Sequence, residues 1–312
     1  MMIGMKRFGE GRFLFLPFTL LLLLFPAWGA AGLELGVLFD LGNLGFSPER
    51  AATDTAYTGE DLFWGASVEI SHGFSGNVST RGGFYRDPVL RNVAYALLYY
   101  DLDFVSLGIG TIQGVSNSDS EILKPGIASS IQLSFPGAMF ARIRFDTSLG
   151  GQLMEPGDYM QSRNELSIGV YVRNAICSLS FESKKFIEQQ ATMEVVDSLL
   201  RYSFVADIFQ KNVPYRLQFS LAYQSLQKKF LDGTPSPPIH TLNSVMAGAE
   251  LDIEVTRFLT LVAGLDSAVL TFGEDELDGL QNPAPGGYLF KARTGFTLNF
   301  ANLKTRRRPD DS

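Results

Sequence analysis

The sequence predicts an all-β chain: a transmembrane, antiparallel, up-and-down β-barrel of about fourteen strands, with twelve as the alternative. Three observations carry this prediction. The first is the stretch from Tyr288 to Phe300, YLFKARTGFTLNF. Tyr288, Phe290, Ala292, Thr294, Phe296, Leu298 and Phe300 fall on one face of a strand, and Leu289, Lys291, Arg293, Gly295, Thr297 and Asn299 on the other. Alternate side chains of a strand point to opposite sides. One face is therefore apolar with aromatic ends, and the other carries two cations and an amide. Its length exceeds the usual soluble strand of about 5–6 residues and suits a tilted bilayer crossing of about 9–11. The second observation is that alternating segments fill the chain from residue 33 to 300, with almost no helical periodicity. The third is that tight and long connections alternate along it.

The chain opens with Lys6, Arg7 and Arg12, an apolar run from Phe13 to Phe25, then Pro26 and the small residues Ala27, Gly29, Ala30 and Ala31. This order is that of a secretory signal, expected over residues 1–31 with cleavage between Gly29 and Gly32. No second apolar stretch of the ~18 residues that a helix needs follows it. A mature chain that enters a membrane does so as strands.

The full chain has a formal net charge of −7. Loss of the leader removes three cations and Glu10, leaving about −9. Such a field repels nucleic acid, and no nucleic-acid partner is expected. Cys177 is the single cysteine, so no intramolecular disulfide and no cysteine-based metal site can form.

The expected strands follow in order. The first is Leu33 to Leu44, with Leu33, Leu35, Val37, Phe39 and Leu41 on one face. The second is Asp61 to Ser71, with Trp64, Ala66, Val68 and Ile70 opposite Ser67, Glu69 and Ser71. The third, Asn77 to Tyr85, is polar and glycine-bearing. The fourth runs Leu90 to Tyr100, and its faces are hard to tell apart. The fifth is Phe104 to Ile112, the sixth Ile127 to Phe135, and the seventh Ala138 to Thr147, where Arg142, Arg144 and Asp146 oppose Met139, Ala141, Ile143 and Phe145. The eighth, Asn164 to Arg173, alternates most cleanly, with Leu166, Ile168, Val170 and Val172 opposite Glu165, Ser167 and Gly169. The ninth is Ala175 to Lys184, the tenth Leu199 to Phe209, and the eleventh Tyr215 to Gln227. The twelfth, Val245 to Val255, sets Glu250, Asp252 and Glu254 against an aliphatic face. The thirteenth runs Phe258 to Phe272, and the opening stretch is the fourteenth.

The tight connections are His72–Gly76, Asp101–Asp103, Pro136–Gly137, Arg173–Asn174, Gln210–Pro214 and Thr256–Arg257. The long ones are Gly45–Glu60, Gly114–Pro125, Leu149–Arg163, Lys185–Asp197, Lys228–Leu242 and Gly273–Gly287. Only Arg86–Val89 is short in a long slot. A soluble sandwich would not sort its loops by parity, whereas a membrane barrel has short turns on one side and longer loops on the other. Closure follows because an open sheet edge is not tolerated in lipid.

On these residues the chain resembles the bacterial outer-membrane β-barrel class, over residues 33–300 and the leader before them. The ending GFTLNF resembles the carboxy-terminal signal read by the barrel assembly machinery, with Phe296, Leu298 and Phe300 at alternating positions. The segment ANLKTRRRPDDS follows it here, which implies a short periplasmic tail over 301–312. The domain plan is thus a signal over 1–31, a barrel over 32–300 and that tail. Fatty-acid transporters of the class carry an amino-terminal plug, but here the first strand begins almost directly after the leader. The resemblance implies outer-membrane lipid and the assembly machinery as partners.

The charged face of the alternation supplies the candidate lumen lining. Its cations are Arg142, Arg144, Arg201, Arg216, Lys291 and Arg293. Its acids are Glu69, Asp146, Glu165, Glu182, Asp207, Glu250, Asp252, Glu254 and Asp266. Opposed charges around a pore order water and sort solutes by polarity and size. The expected function is a channel for passive diffusion of small polar solutes. A packed salt-bridge lumen in a structural or assembly scaffold is the alternative, and a transporter of apolar compounds is a further one. No enzyme, cofactor or metal site is expected. His72 and His240 are the two histidines, His72 in a predicted turn and His240 beside TPSPP. No GxSxG and no zinc-binding histidine pair is present. The acidic stretch GEDELDG, from Gly273 to Gly279, lacks calcium-loop spacing and reads as a solvated loop.

Overall fold

The computed structural model describes residues 32–45, 62–75, 77–115, 123–149, 156–209, 213–235, 237, 239–272 and 289–300. The expected leader, the 301–312 tail and the GEDELDG loop lie outside these residues. Fourteen strands form: β1 (Leu33–Gly42), β2 (Phe63–Ser75), β3 (Val78–Asp87), β4 (Arg91–Asp101), β5 (Val105–Val115), β6 (Leu123–Phe135), β7 (Met139–Ser148), β8 (Tyr159–Val172), β9 (Ala175–Gln189), β10 (Glu194–Phe209), β11 (Tyr215–Leu231), β12 (Ile239–Thr256), β13 (Leu259–Phe272) and β14 (Phe290–Asn299). Each pairs antiparallel with its sequence neighbours, and β1 pairs with β14, so the sheet closes as a barrel. Twelve strands is thereby set aside.

The register gives one inner and one outer face all round. Leu35 on β1 stands opposite Ile70 on β2 and Leu298 on β14, while Asp40 stands opposite Arg293. The outer face exposes its large apolar side chains, reaching 67% exposure at Ile109 and 66% at Leu179. Charged partners meet on the inner face. A soluble protein has the reverse arrangement, and an apolar exterior around a polar interior is that of a wall facing lipid. Aromatic residues gather where β4, β5, β6 and β11 meet the end that carries both termini: Tyr100, Phe104, Phe135 and Tyr215 are all exposed. The Phe104 and Phe135 rings stack at 5.6 Å. At the opposite, far end, the Arg86 guanidinium lies 3.8 Å from the Trp64 ring centre. Girdles of this kind sit at headgroup level.

All turns at the terminal end are short, whereas the far end carries the long connections together with two short ones, 88–90 between β3 and β4 and 190–193 between β9 and β10. Four expected long loops, those after β5, β7, β9 and β11, are shorter than the sequence reading placed them. β9 runs to Gln189 and β10 starts at Glu194, leaving only 190–193 between them. β11 and β12 likewise extend to Leu231 and from Ile239. The cause is an inversion of the pattern. Beyond Phe181 the outer face of β9 turns polar, with Ser183 and Lys185, while inward-facing Phe186 is buried. An apolar-outside criterion ends the strand where the wall rises above the hydrocarbon, although the hydrogen-bonded ladder continues. The fourth strand was ambiguous for a related reason. Val93, Tyr95 and Leu97 are buried inward while Leu98 and Tyr100 are exposed outward, so both faces are apolar.

Candidate functional site

Strand parity places every lumen candidate on the inner face: Glu69 on β2, Arg142, Arg144 and Asp146 on β7, Glu165 on β8, Glu182 on β9, Arg201 and Asp207 on β10, Arg216 on β11, Glu250, Asp252 and Glu254 on β12, Asp266 on β13, and Lys291 and Arg293 on β14. Most are neutralised where they stand. Arg144 donates to Asp146 at 2.9 Å, and Arg216 to Asp207, with Asp252 4.0 Å away. Arg201 lies 3.7 Å from Asp266. Arg293 bridges Asp40 at 2.9 Å and Glu250 at 3.1 Å, and Lys291 reaches Asp40 at 3.3 Å. The Arg293–Glu250 pair reaches across β13, passing over Gly264, the residue between them in register. Glu254 is exposed near the terminal end.

The same device operates on the other side. Tyr95 on β4 donates to Glu69 on β2 at 2.5 Å, passing over Gly83 of β3. A Cβ at Gly83 would sit 2.4 Å from the Val68 carbonyl oxygen and 3.1 Å from the Tyr95 hydroxyl. Arg81 also pairs with Glu69, at 3.4 Å.

Side chains from separate strands meet inside the lumen. The Arg144 guanidinium of β7 lies 4.7 Å from the Tyr95 ring centre, and Arg163 of β8 lies 5.9 Å from that of Tyr85 on β3. These contacts join non-adjacent strands across the interior. On either side of them lie two polar cavities. One, of about 240 Å³, is walled by β8 to β14 and lined by Arg163, Glu182, Arg201, Glu250, Asp266 and Arg293 among others. The second, of about 330 Å³, is walled by β2 to β8 and includes Arg81, Ser106, Ser130, Gln132 and Arg142.

The far half is crossed by the short 88–90 turn. The Asp87 carboxylate accepts from the Val89 and Leu90 amides at 2.8 Å each, which fixes the turn. Its other oxygen accepts from Lys184 on β9 at 2.5 Å. Arg91, at φ +63°, donates to the Pro88 carbonyl at 3.0 Å and to Asp197 on β10. Lys228 on β11, 1% exposed, lies 3.4 Å from the same Asp197. Val89 is buried with Leu44, Leu226, Leu242, Met246 and Leu289. Leu90 belongs to a second cluster with Val93, Leu97 and Ile112. In the ring order β3 and β10 are seven strands apart either way, so this turn spans the barrel from wall to wall.

Several of these groups were not singled out from the sequence. Arg163 fell in an expected loop, yet it pairs with Glu165 at 3.1 Å and Glu182 at 3.0 Å. Asp40, Asp87, Arg91, Lys184, Asp197 and Lys228 carry no local motif, and their role arises from contacts across the ring. The available signal was parity: each lies on the inner face of its strand. His72 does not lie in a turn, because β2 runs on to Ser75. It is buried and meets Phe74 edge-on at 4.9 Å. Phe296 and Leu298 face outward on β14 beside Val37 and Leu35 of β1, and Phe300 follows the strand's last residue.

No family model matches this chain, and no curated protein matches it. Solved structures to which it is similar are bacterial outer-membrane barrels. A bacterial polysaccharide outer membrane secretin is 10% identical over 87% of this chain and 99% of its own, with a TM-score of 0.45. An outer membrane channel from Pseudomonas putida F1 is 7% identical over 86% and 95%, with a TM-score of 0.49. A porin is 9% identical over 85% and 99%, with a TM-score of 0.40. The likeness is one of barrel architecture and conveys no solute, partner or activity.

Proposed function

We propose that the chain is an outer-membrane barrel whose lumen passes small polar solutes, with the terminal end in the periplasm and the 88–90 turn restricting passage from the far end. The observation that carries this reading is the two polar cavities inside a wall of opposed charges. A barrel built only to hold partners has no need of such space, and closely set charges of both signs favour hydrated polar solutes over apolar ones. The expected leader, the apolar belt and the aromatic girdles support the location. The assembly machinery would read β14, where Phe296 and Leu298 project outward. Purified barrels in a planar bilayer test the reading: stepwise conductance supports it, and sealed bilayers with correctly folded protein overturn it.

The turn supports a second reading. Val89 packs among buried apolar residues and Asp87 and Arg91 are both ion-paired across the ring, as a filled scaffold barrel would be. Absence of conductance both in the parent and after removal of the turn's ion pairs favours that reading.

A further inference from the structure

We infer that Arg142 forms a binding subsite for a small oxyanion, a carboxylate or phosphate group, in the 330 Å³ cavity near the terminal end. Every other inward-facing arginine described above has a carboxylate partner. Arg142 makes no ion pair and no hydrogen bond among the described residues, and its Nε is buried without a partner. Two residues along the same strand, Arg144 is neutralised by Asp146. The half-buried guanidinium keeps its terminal nitrogens available, and its Nε–H, withdrawn from water without a partner, gains a hydrogen bond when an oxyanion or ordered water sits against it. The arginine fork matches a carboxylate or phosphate in two-point geometry.

The surroundings fit an anion. Gln132 and Ser167 flank Arg142 in register on β6 and β8. Ser130 and Gln132 line the same cavity and can donate to a bound oxygen. Arg81 of β3, paired with Glu69 at 3.4 Å, lines the same cavity. Two carboxylates share the lining: Asp101, which accepts from Ser79 at 3.3 Å and Ser106 at 2.5 Å, and Glu165, which pairs with Arg163 at 3.1 Å.

This inference rests on the polar-lumen reading but not on conduction, and its test is independent of conductance. Folded barrels in detergent are treated with an arginine-specific dicarbonyl reagent, and the rate at each arginine is read by peptide mass spectrometry. Arg142 is expected to react faster than the ion-paired Arg144. Acetate or inorganic phosphate should then slow Arg142 severalfold relative to potassium chloride at equal ionic strength. Protection by phosphate or acetate but not chloride supports a site. Equal slowing by chloride shows screening alone and overturns it, as does no slowing by either probe. As a second arm, phosphate should raise the unfolding temperature of the parent barrel but not that of Arg142→Gln. An equal rise in both would also overturn the assignment.

Discussion

Lys184 and Asp87 are separated by 97 positions in sequence and six strands around the ring, yet the Lys184 ammonium donates to the Asp87 carboxylate at 2.5 Å. Both side chains are nearly excluded from solvent, at 14% and 13% exposure. Removing one partner leaves the other charged and buried, a loss of about 3–5 kcal/mol. Lys184→Met should therefore lower the temperature at which the folded form shifts in a heat-modifiability gel. Asp87→Asn combined with Lys184→Met should recover most of the loss, since the double change removes both charges and keeps an oxygen for the Val89 and Leu90 amides. A double variant as unstable as the single one would show that the pair is not coupled.

The same turn should control passage. Arg91→Ala removes the bond to Asp197 and the contact 5.2 Å above the Phe186 ring. Single-barrel conductance is expected to rise, with more frequent opening and closing. Unchanged current in a conducting, folded variant would show that the permeation path avoids the turn.

On β8, Val170 faces outward at 45% exposure, and Ser167 faces inward, sharing a 2.8 Å hydrogen bond with Ser180. Val170→Arg places a cation in lipid at about 2–4 kcal/mol near the midplane. Outer-membrane recovery of that variant should fall sharply, while Ser167→Arg should still assemble. Equal recovery of the two would mean that the wall does not face lipid there.

The stripe Glu250, Asp252 and Glu254 should set ion preference. Its replacement by Gln, Asn and Gln removes three wall charges and leaves Arg293 paired with Asp40. Reversal potentials in a salt gradient should move toward anions. The shift should shrink near 1 M salt, where the screening length is about 3 Å. No shift in a conducting variant would place the stripe away from the path.

Gly83→Ala should uncouple Tyr95 from Glu69, because the new methyl would sit 2.4 Å from the Val68 carbonyl oxygen and force the backbone or the Tyr95 ring to move. Tyr95→Phe removes the same hydrogen bond without strain, at about 1.5–3 kcal/mol for a charged acceptor. The thermal shift of Gly83→Ala should exceed that of Tyr95→Phe. The opposite order would mean that the glycine is not needed for the close approach.

The strand count, the sorting of turns by end and the inward parity of Arg142, Asp146, Glu182 and Arg293 were legible in the sequence, because a two-residue period is a local property. Three things were not. The rise of β9 to β12 above the lipid was hidden because apolar and polar faces exchange there, at Phe186 and Lys185. The apolar inner face of β4 was hidden because Val93 and Leu97 do not contrast with Leu98. The partners of Asp87 and Arg91 were hidden because ring curvature, which no local pattern encodes, decides which strands face one another.

That last feature bears on how the barrel is made. Asp87 and Arg91 find their ion-pair partners on β9 and β10, and Val89 packs with side chains of β11 and β12 and with Leu44 and Leu289, so a hairpin of β3 and β4 inserted alone keeps the turn's own hydrogen bonds but has none of these contacts across the ring. Until β12 has been added and the sheet has curled round, these groups remain hydrated and contribute nothing to holding the growing edge. Their burial is available only to the finished ring. The turn therefore works as a proof of completion: an incomplete sheet lacks the turn's contacts across the ring, which widens the energetic gap between a sealed wall and every partly built one.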